Sequence, residues 1–398
     1  MIDTFPFSQK ICQEDRDTVA IVVVGYNRLG ALRRLLGSLL TADYSSEHPP
    51  LVISIDCSGN EELYRYVREF EWPYGRKYLR IQPQRLGLKD HILSCGDLTS
   101  CFRGVILLED DLFVSTDFYH YSCAALDYYD NDDRIAGISL YAHETNGYVG
   151  LPFAPLNNGC DVYAVQAVSS WGECWNTRMW RSFREWIDQT GEANLVFQRM
   201  DIPEAMKHWE RAWSKYFNAY MIATNRYFIY PYVSLSTNFS DAGEHGSVAD
   251  AVVQVGLQCG RRNYDMRTVD RLVSYDIFSN NIALYSALGL SKEKLCLDVY
   301  ADRGNLRKCR YWLTPRNLPY KRVKSFALAC RPVELNVLYE IQGDRLHLYD
   351  TEITESHSDR TSWKTALAQY YLRNFRRVYL RAALIDIYRR CIKRRFSI

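Results

Sequence analysis

Apolar and polar positions follow two periods that alternate along the first quarter of the chain. Val19-Ala-Ile-Val-Val-Val-Gly25 is an unbroken, β-branched run, the pattern of a strand buried on both faces. Next come Leu32, Leu35, Leu36, Leu39 and Leu40, spaced along one helical face, which predict a helix over 29–40. The alternation then repeats. Strands are predicted over 51–56, 77–82 and 104–109, and helices over 61–70, 88–98 and 117–129. Strands alternating with helices predict an α/β fold with a mostly parallel, Rossmann-like sheet flanked by helices on both faces. Ligands of such sheets bind beyond the carboxyl ends of the strands. Three of these ends carry polar groups: Asn27, Asp56 and the run Glu109-Asp110-Asp111.

Beyond Arg134 the periodicity loosens. Residues 135–140 and 227–231 read as short strands, and 180–186 and 204–222 as helices. Residues 143–158 and 236–246 read as loops, rich in Gly, Pro, Asn or other polar residues. From about Asp250 the apolar runs shorten and turns such as Arg-Gly-Asn and Pro-Arg-Asn multiply. The expected organisation is an arm over 1–18, a main α/β domain over 19–250, a small α+β appendage over 251–360 and a basic helical tail over 361–398.

The composition, with 398 residues, 47% apolar, 24% charged and 14% aromatic, is that of a globular chain with ample core. It excludes disordered, collagen-like and disulfide-stapled classes. No apolar run approaches the roughly 18 residues a membrane span needs, and the N-terminus lacks the pattern of a signal peptide. The twelve cysteines are scattered from Cys12 to Cys391 without a C-x-x-C. That usage predicts reduced thiols in a cytoplasmic protein, and no zinc site. Charge is divided unevenly. From Lys364 onward ten Lys or Arg face one acid, a formal +9 against −7 for the rest and +2 overall. In 371–396 the arginines interleave with Tyr, Leu, Ile and Val, the pattern of a basic amphipathic helix that binds an anionic membrane surface. The acidic remainder argues against a nucleic-acid partner.

Three consecutive acids closing an apolar strand repel one another and resist desolvation, and a hard divalent cation, Mg²⁺ or Mn²⁺, offsets both costs. The alternative is a solvated acidic turn. Gly25-Tyr26-Asn27-Arg28-Leu29-Gly30 has the glycine spacing of a P-loop, but Ala31 stands where that loop needs Lys. No G-x-G-x-x-G follows the first strand, which argues against a dinucleotide dehydrogenase.

Val22-Val-Val-Gly-Tyr-Asn-Arg28, Ser54-Ile-Asp56 and Leu107-Leu-Glu-Asp-Asp-Leu112 resemble, in order and spacing, the nucleotide-sugar-binding half of GT-A fold glycosyltransferases. The likeness is to bacterial family 2-like enzymes and to the N-acetylglucosaminyltransferase I group. Arg85-Leu-Gly-Leu-Lys89, Ser170-Trp-Gly172, Ile229-Tyr-Pro231 and Ser236-Thr-Asn238 followed by Gly243-Glu-His-Gly246 extend it over roughly residues 18 to 250. The resemblance implies a nucleoside-diphosphate sugar donor and a metal. Asn27 and Arg28 would line the nucleotide pocket, and Asp56 would accept from the base. Arg85 and Lys89 would reach the nucleotide or diphosphate. Glu109 and Asp110 would contact ribose, sugar or metal-bound water. Asp111 would ligate the metal, and His245 would approach the metal or diphosphate.

Inverting transfer needs a base for the acceptor hydroxyl. The position that carries it in the related families falls here at Ser214, which cannot act unaided. Glu210, one helical turn earlier, and Glu173 are the candidates, the former preferred; each could instead be a surface carboxylate. Trp171, Trp175, Trp209, Trp213 and Tyr216 form either an acceptor subsite or core. The resemblance thus implies transfer of a sugar from a UDP-linked donor to a hydroxyl of a glycan or lipid-linked acceptor, in surface polysaccharide assembly. A sugar nucleotidyltransferase and a non-catalytic scaffold of the same fold are the alternatives.

Overall fold

The computed structural model describes residues 10–209, 212–241, 253–304, 309–358 and 362–372, with 380, 381, 384, 385 and 388 of the tail. Its backbone contacts divide the chain into two units: Met1–Ser286 with Asp302–Asn305, and Ala287–Ala301 with Leu306–Ile398.

The first unit begins as the alternating periods predict. Strand β1 (Val19–Gly25) leads into helix α1 (Leu29–Leu40), β2 (Leu51–Ile55) into α2 (Glu61–Glu69), and β3 (Lys77–Ile81) into α3 (Leu88–Gly96). Strand β4 (Gly104–Glu109) is followed by the short β5 (Leu112–Val114) and α4 (Phe118–Tyr128). Every residue of β1 and β2 is buried, as expected for strands covered on both faces. Helix α1 buries Ala31, Leu32, Leu35, Leu36 and Leu39. Helix α2 is capped by Asn60, whose side chain accepts from the Leu63 N–H at 3.1 Å.

Next come β6 (Ile135–Ser139), a small hairpin of β7 (Thr145–Asn146) and β8 (Leu151–Pro152), β9 (Val162–Val165) and β10 (Glu173–Asn176). Helices α5 (Thr177–Thr190), α6 (Glu204–Lys207) and α7 (Trp213–Thr224) lead to β11 (Tyr227–Pro231), β12 (Ser236–Asn238) and β13 (Ser274–Tyr275). Nine strands form one sheet in the order β13-β9-β11-β6-β10-β4-β1-β2-β3. Its parallel pairs are β1 with β2 and β4, β2 with β3, β11 with β6, and β13 with β9. Strand β10 runs antiparallel between β4 and β6. Strand β13 lies within the stretch expected to belong to the appendage, yet it forms the edge of this sheet.

The predicted helix over 204–222 is two helices. Ala212 is extended (φ −80°, ψ 116°), so α7 starts at Trp213. The buried Lys215 ammonium donates to the carbonyls of Lys207 and Trp209, satisfying groups that the break leaves open. Between β10, α5 and α7 lies an aromatic core of Trp175, Trp180, Phe183, Trp213 and Phe217.

The second unit holds a four-stranded sheet, β14-β15-β17-β16, made from Leu295–Leu297, Tyr311–Thr314, Leu346–Thr354 and Tyr320–Phe326. Cys296, Cys309, Trp312 and Tyr349 form its core. No helix among the described residues is long and apolar enough to cross a membrane.

Candidate active site

In the order β3-β2-β1-β4 the connections advance away from β1 and then return to its other side. That reversal opens a crevice at the carboxyl ends of β1 and β4. The acidic run falls there. β5, just past the run, pairs antiparallel with β12, and the Phe239 N–H donates to the Asp111 carbonyl at 2.9 Å. This pairing carries Asn238, Ser240 and Asp241 to the crevice.

Arg28, at the start of α1, enters the same space. Its Nε donates to Asp110 Oδ2 at 3.3 Å and its Nη2 to Asp110 Oδ1. Its Nη1 donates to Asp111 Oδ2 at 3.2 Å and to the Asp241 carbonyl at 3.1 Å. Arg34, one helical turn and a half further on, pairs with the Asp241 carboxylate and lies 3.9 Å over the Phe239 ring. Sequence reasoning missed Arg34 and Asp241. Only the strand pairing brings them together, and Asp241 sat in an unremarkable polar loop.

The electrostatics show strain among the acids. Desolvation, and then the charges of Asp111 and Asp110, push the Glu109 carboxyl up to about 8. Desolvation also lifts Asp110 to about 6, against the opposing pull of Arg28. Burial works to lower the Arg28 pKa, but the hydrogen bond and charge of Asp110, with Asp111 and Glu109, outweigh it and hold the guanidinium charged. Arg28 is therefore the internal counter-charge of the cluster. It does not saturate it: Asp111 Oδ1 is buried without a hydrogen-bond partner among the described residues. Those residues contain no group of three or more His, Cys, Asp or Glu side chains poised around a metal. The donor chemistry nevertheless fits a hard cation, because a carboxylate oxygen is left unsatisfied beside a second carboxylate. His245 lies outside the described residues.

The crevice has a volume of about 320 Å³, and Asn27, Arg28, Asp56, Arg85, Glu109, Asp110 and Asp111 all line it. Asp56 is pinned: Oδ1 accepts from the N–H groups of Cys57 and Leu86, and Oδ2 from that of Gly87, each at 2.9 Å. It ties the end of β2 to the turn that starts α3. Gly87 has φ +80°, a conformation that favours glycine, and this lets its N–H face the carboxylate. Arg85 lies 4.8 Å over the Tyr26 ring. Lys89 is placed elsewhere. Its ammonium contacts Glu192 at 2.7 Å and lies 5.1 Å from the Tyr216 ring, and it does not line the crevice.

The two candidate bases diverge. Glu173 is fully buried in β10, opposite Leu107 of β4 and Ser139 of β6, and lines neither cavity. Burial, with the Glu109 charge adding to it, raises its carboxyl well above the usual range, and a protonated, enclosed carboxyl is not a base. Glu210 lies outside the described residues. The single helix expected to carry both Glu210 and Ser214 is interrupted at the extended Ala212, and α7 begins at Trp213. In the chain, however, Glu210 stands between Trp209 and Ala212, which both line a second cavity.

That second cavity, about 510 Å³, adjoins the first through Leu88 and Trp171, which line both. Ser214, Trp209, Tyr148, Phe153 and His143 also face it. The aromatic residues read from sequence thus separate. Trp175 and Trp213 are core, Trp171 and Trp209 line the chamber, and Tyr216 packs against a core cluster of Phe197, Ile202 and Met206.

No family model matches the sequence, and no curated protein matches it. Solved structures with likeness to the chain include TarS 1-349 of S. aureus in complex with UDP-GlcNAc. It is 16% identical over 58% of this chain and 61% of that one, with a TM-score of 0.38. GalNAc-T7 with UDP, GalNAc and Mn²⁺ is 13% identical over 55% of this chain and 43% of that one, at 0.37. The mannosyltransferase PcManGT of Pyrobaculum calidifontis, in complex with GDP-Man and Mn²⁺, is 14% identical over 47% and 50%, at 0.31. The chain spans less than two thirds of each of these structures.

Proposed function

We propose that this chain is a metal-dependent glycosyltransferase that moves a sugar from a nucleoside-diphosphate donor, UDP-linked, to a hydroxyl of a glycan or lipid-linked acceptor, with inversion. The observation that carries this is the pairing of two unlike cavities. One is an acid- and arginine-lined crevice at the topological switch point, the other an aromatic chamber that shares its Trp171 and Leu88 wall. Two substrates of different chemistry can meet at that wall.

Asn27, Asp56 and the Arg85–Tyr26 stack would hold the nucleoside end. Asp111, with Asp110 and His245, would hold Mn²⁺ or Mg²⁺, which supplies Lewis-acid neutralisation of the diphosphate. Arg28, held by Asp110, Asp111 and the Asp241 carbonyl at the crevice, would keep a positive charge at the departing group, where preorganised charge lowers the barrier most. Glu210, between two chamber-lining positions, is the base for the acceptor hydroxyl. The basic tail would hold the enzyme on an anionic, cytoplasmic membrane face. Among the described tail residues Leu380, Leu384 and Tyr388, four apart, are all exposed, as an amphipathic surface helix requires.

Release of UDP from a panel of UDP-sugars, with Mn²⁺ and a mixed glycan acceptor pool, tests this. Asp111→Asn is expected to lower the rate by about 10²-fold or more, the loss typical of removing a transition-state charge stabiliser. Conversion of the same UDP-sugars to UTP only when pyrophosphate is added would instead identify a nucleotidyltransferase, and equal background rates in both proteins would identify a scaffold.

A further inference from the structure

The chamber carries chemistry beyond its aromatic rings. Asn146, in β7, is 2% exposed and lines it. Its Oδ1 accepts from the Tyr148 N–H at 3.0 Å, and this bond sets which way the amide faces. Its Nδ2 is buried and has no hydrogen-bond partner among the described residues. A buried donor without a partner is rare in folded proteins and calls for an acceptor atom from outside the described residues, which a bound ligand supplies.

The charge pattern narrows what that acceptor belongs to. Among the described residues that line the chamber there is no Asp, Glu, Lys or Arg. His143 is the one titratable lining side chain of that set besides Tyr148. It packs beside Trp171, Tyr141 and Tyr230, and desolvation keeps it neutral at physiological pH. An anionic ligand would find no counter-charge among these described residues, and burying an unpaired charge is costly. A neutral ligand with an apolar part would cover Trp209, Phe153 and Tyr148 and give Asn146 its missing acceptor.

We propose that the chamber binds the uncharged, apolar-aglycone end of a glycoside acceptor, with Asn146 Nδ2 donating to a neutral sugar or amide oxygen. This rests on the glycosyltransferase reading and deepens it: the acceptor is a neutral glycolipid or aryl glycoside, not a phosphorylated one.

Calorimetric titration of the full chain with n-octyl β-D-glucopyranoside, below its micellar range, tests this against the 6-phosphate ester of the same glycoside. The neutral probe is expected to bind, and the phosphorylated one about tenfold or more weakly. Asn146→Leu removes the donor, and Ser214→Leu fills the chamber from the first turn of α7. Each should weaken the neutral probe by about tenfold or more, with thermal melting reporting that each variant is folded. Equal binding of the two glycosides would overturn the proposal, as would unchanged binding in both folded variants. UDP with Mn²⁺ is titrated separately. Loss of that signal with glycoside binding intact would sink the donor assignment and leave the chamber standing. The reverse result would sink the chamber alone.

Discussion

At 0% exposure, with neither carboxyl oxygen paired among the described residues, Glu173 is held protonated by its surroundings. In the unfolded chain it ionises near its ordinary 4.5, so above that pH the folded state binds more protons than the unfolded one. Stability must therefore fall as pH rises past 4.5 toward the elevated folded value. Glu173→Gln keeps the shape without the ionisation, and its melting temperature should gain more over wild type at pH 8 than at pH 4.5. Equal gains at both would contradict the assignment. Arg80 poses the opposite problem. It is 1% exposed and donates to Ser54 Oγ at 3.0 Å, Ser94 Oγ at 3.1 Å and Cys95 Sγ at 2.9 Å, with no carboxylate partner among the described residues. Burial works to raise the Cys95 thiol, but the charges of Arg80 and His91 overcome it and bring it down to about 7, so a thiolate serves as partial counter-ion. Cys95→Ala leaves the guanidinium buried with less compensation and should cost about 3 kcal/mol in a urea melt. Neither role was legible in the sequence. An acid in Glu173-Cys-Trp-Asn176 looks like a solvent-facing group until the strand pairing buries it. A scattered cysteine gives no sign of the arginine above it.

Elements were more legible than residues wherever a period ran long enough to declare itself. The first four strands and the helices between them lie where their β-branched runs and leucine faces put them. The expected ends of α2 and α3 ran only one or two residues long. Short elements of mixed polarity escaped. Strand β9 has four residues and β10 reads Glu-Cys-Trp-Asn, so neither shows a period. The break between α6 and α7 escaped as well, because apolar spacing continues across it while Lys215 supplies the compensating hydrogen bonds. Gly137 shows how tightly β6 is packed. A Cβ there would overlap the Phe228 ring and the Trp175 indole. Gly137→Ala should destabilise the protein by about 1–3 kcal/mol through overpacking. A denaturant midpoint equal to wild type would show that the aromatic core yields more easily than its packing implies.

On the scale of the whole molecule, the acids, the arginines and the aromatic wall come from six segments that only the sheet order assembles. The sequence showed which strand ends carry polar groups, but not that Arg28 and Asp110 would meet or that Asp241 would join them. The tail, readable as basic and amphipathic, lies mostly outside the described residues. Its proposed role predicts that the full chain cosediments with phosphatidylglycerol vesicles and not with phosphatidylcholine ones, and is released by high salt as screened charges must be. Retention on neutral vesicles would point to an apolar attachment instead. The central claim is that Asp111 and its neighbours hold a cation which in turn holds a nucleotide diphosphate. Calorimetric titration of UDP into the wild-type chain, with Mn²⁺ and with chelator, tests it most directly. The predicted result is saturable uptake with Mn²⁺, weakened about tenfold or more by chelator or by Asp111→Asn. UDP binding of equal strength in all three conditions, or none in any, would contradict it.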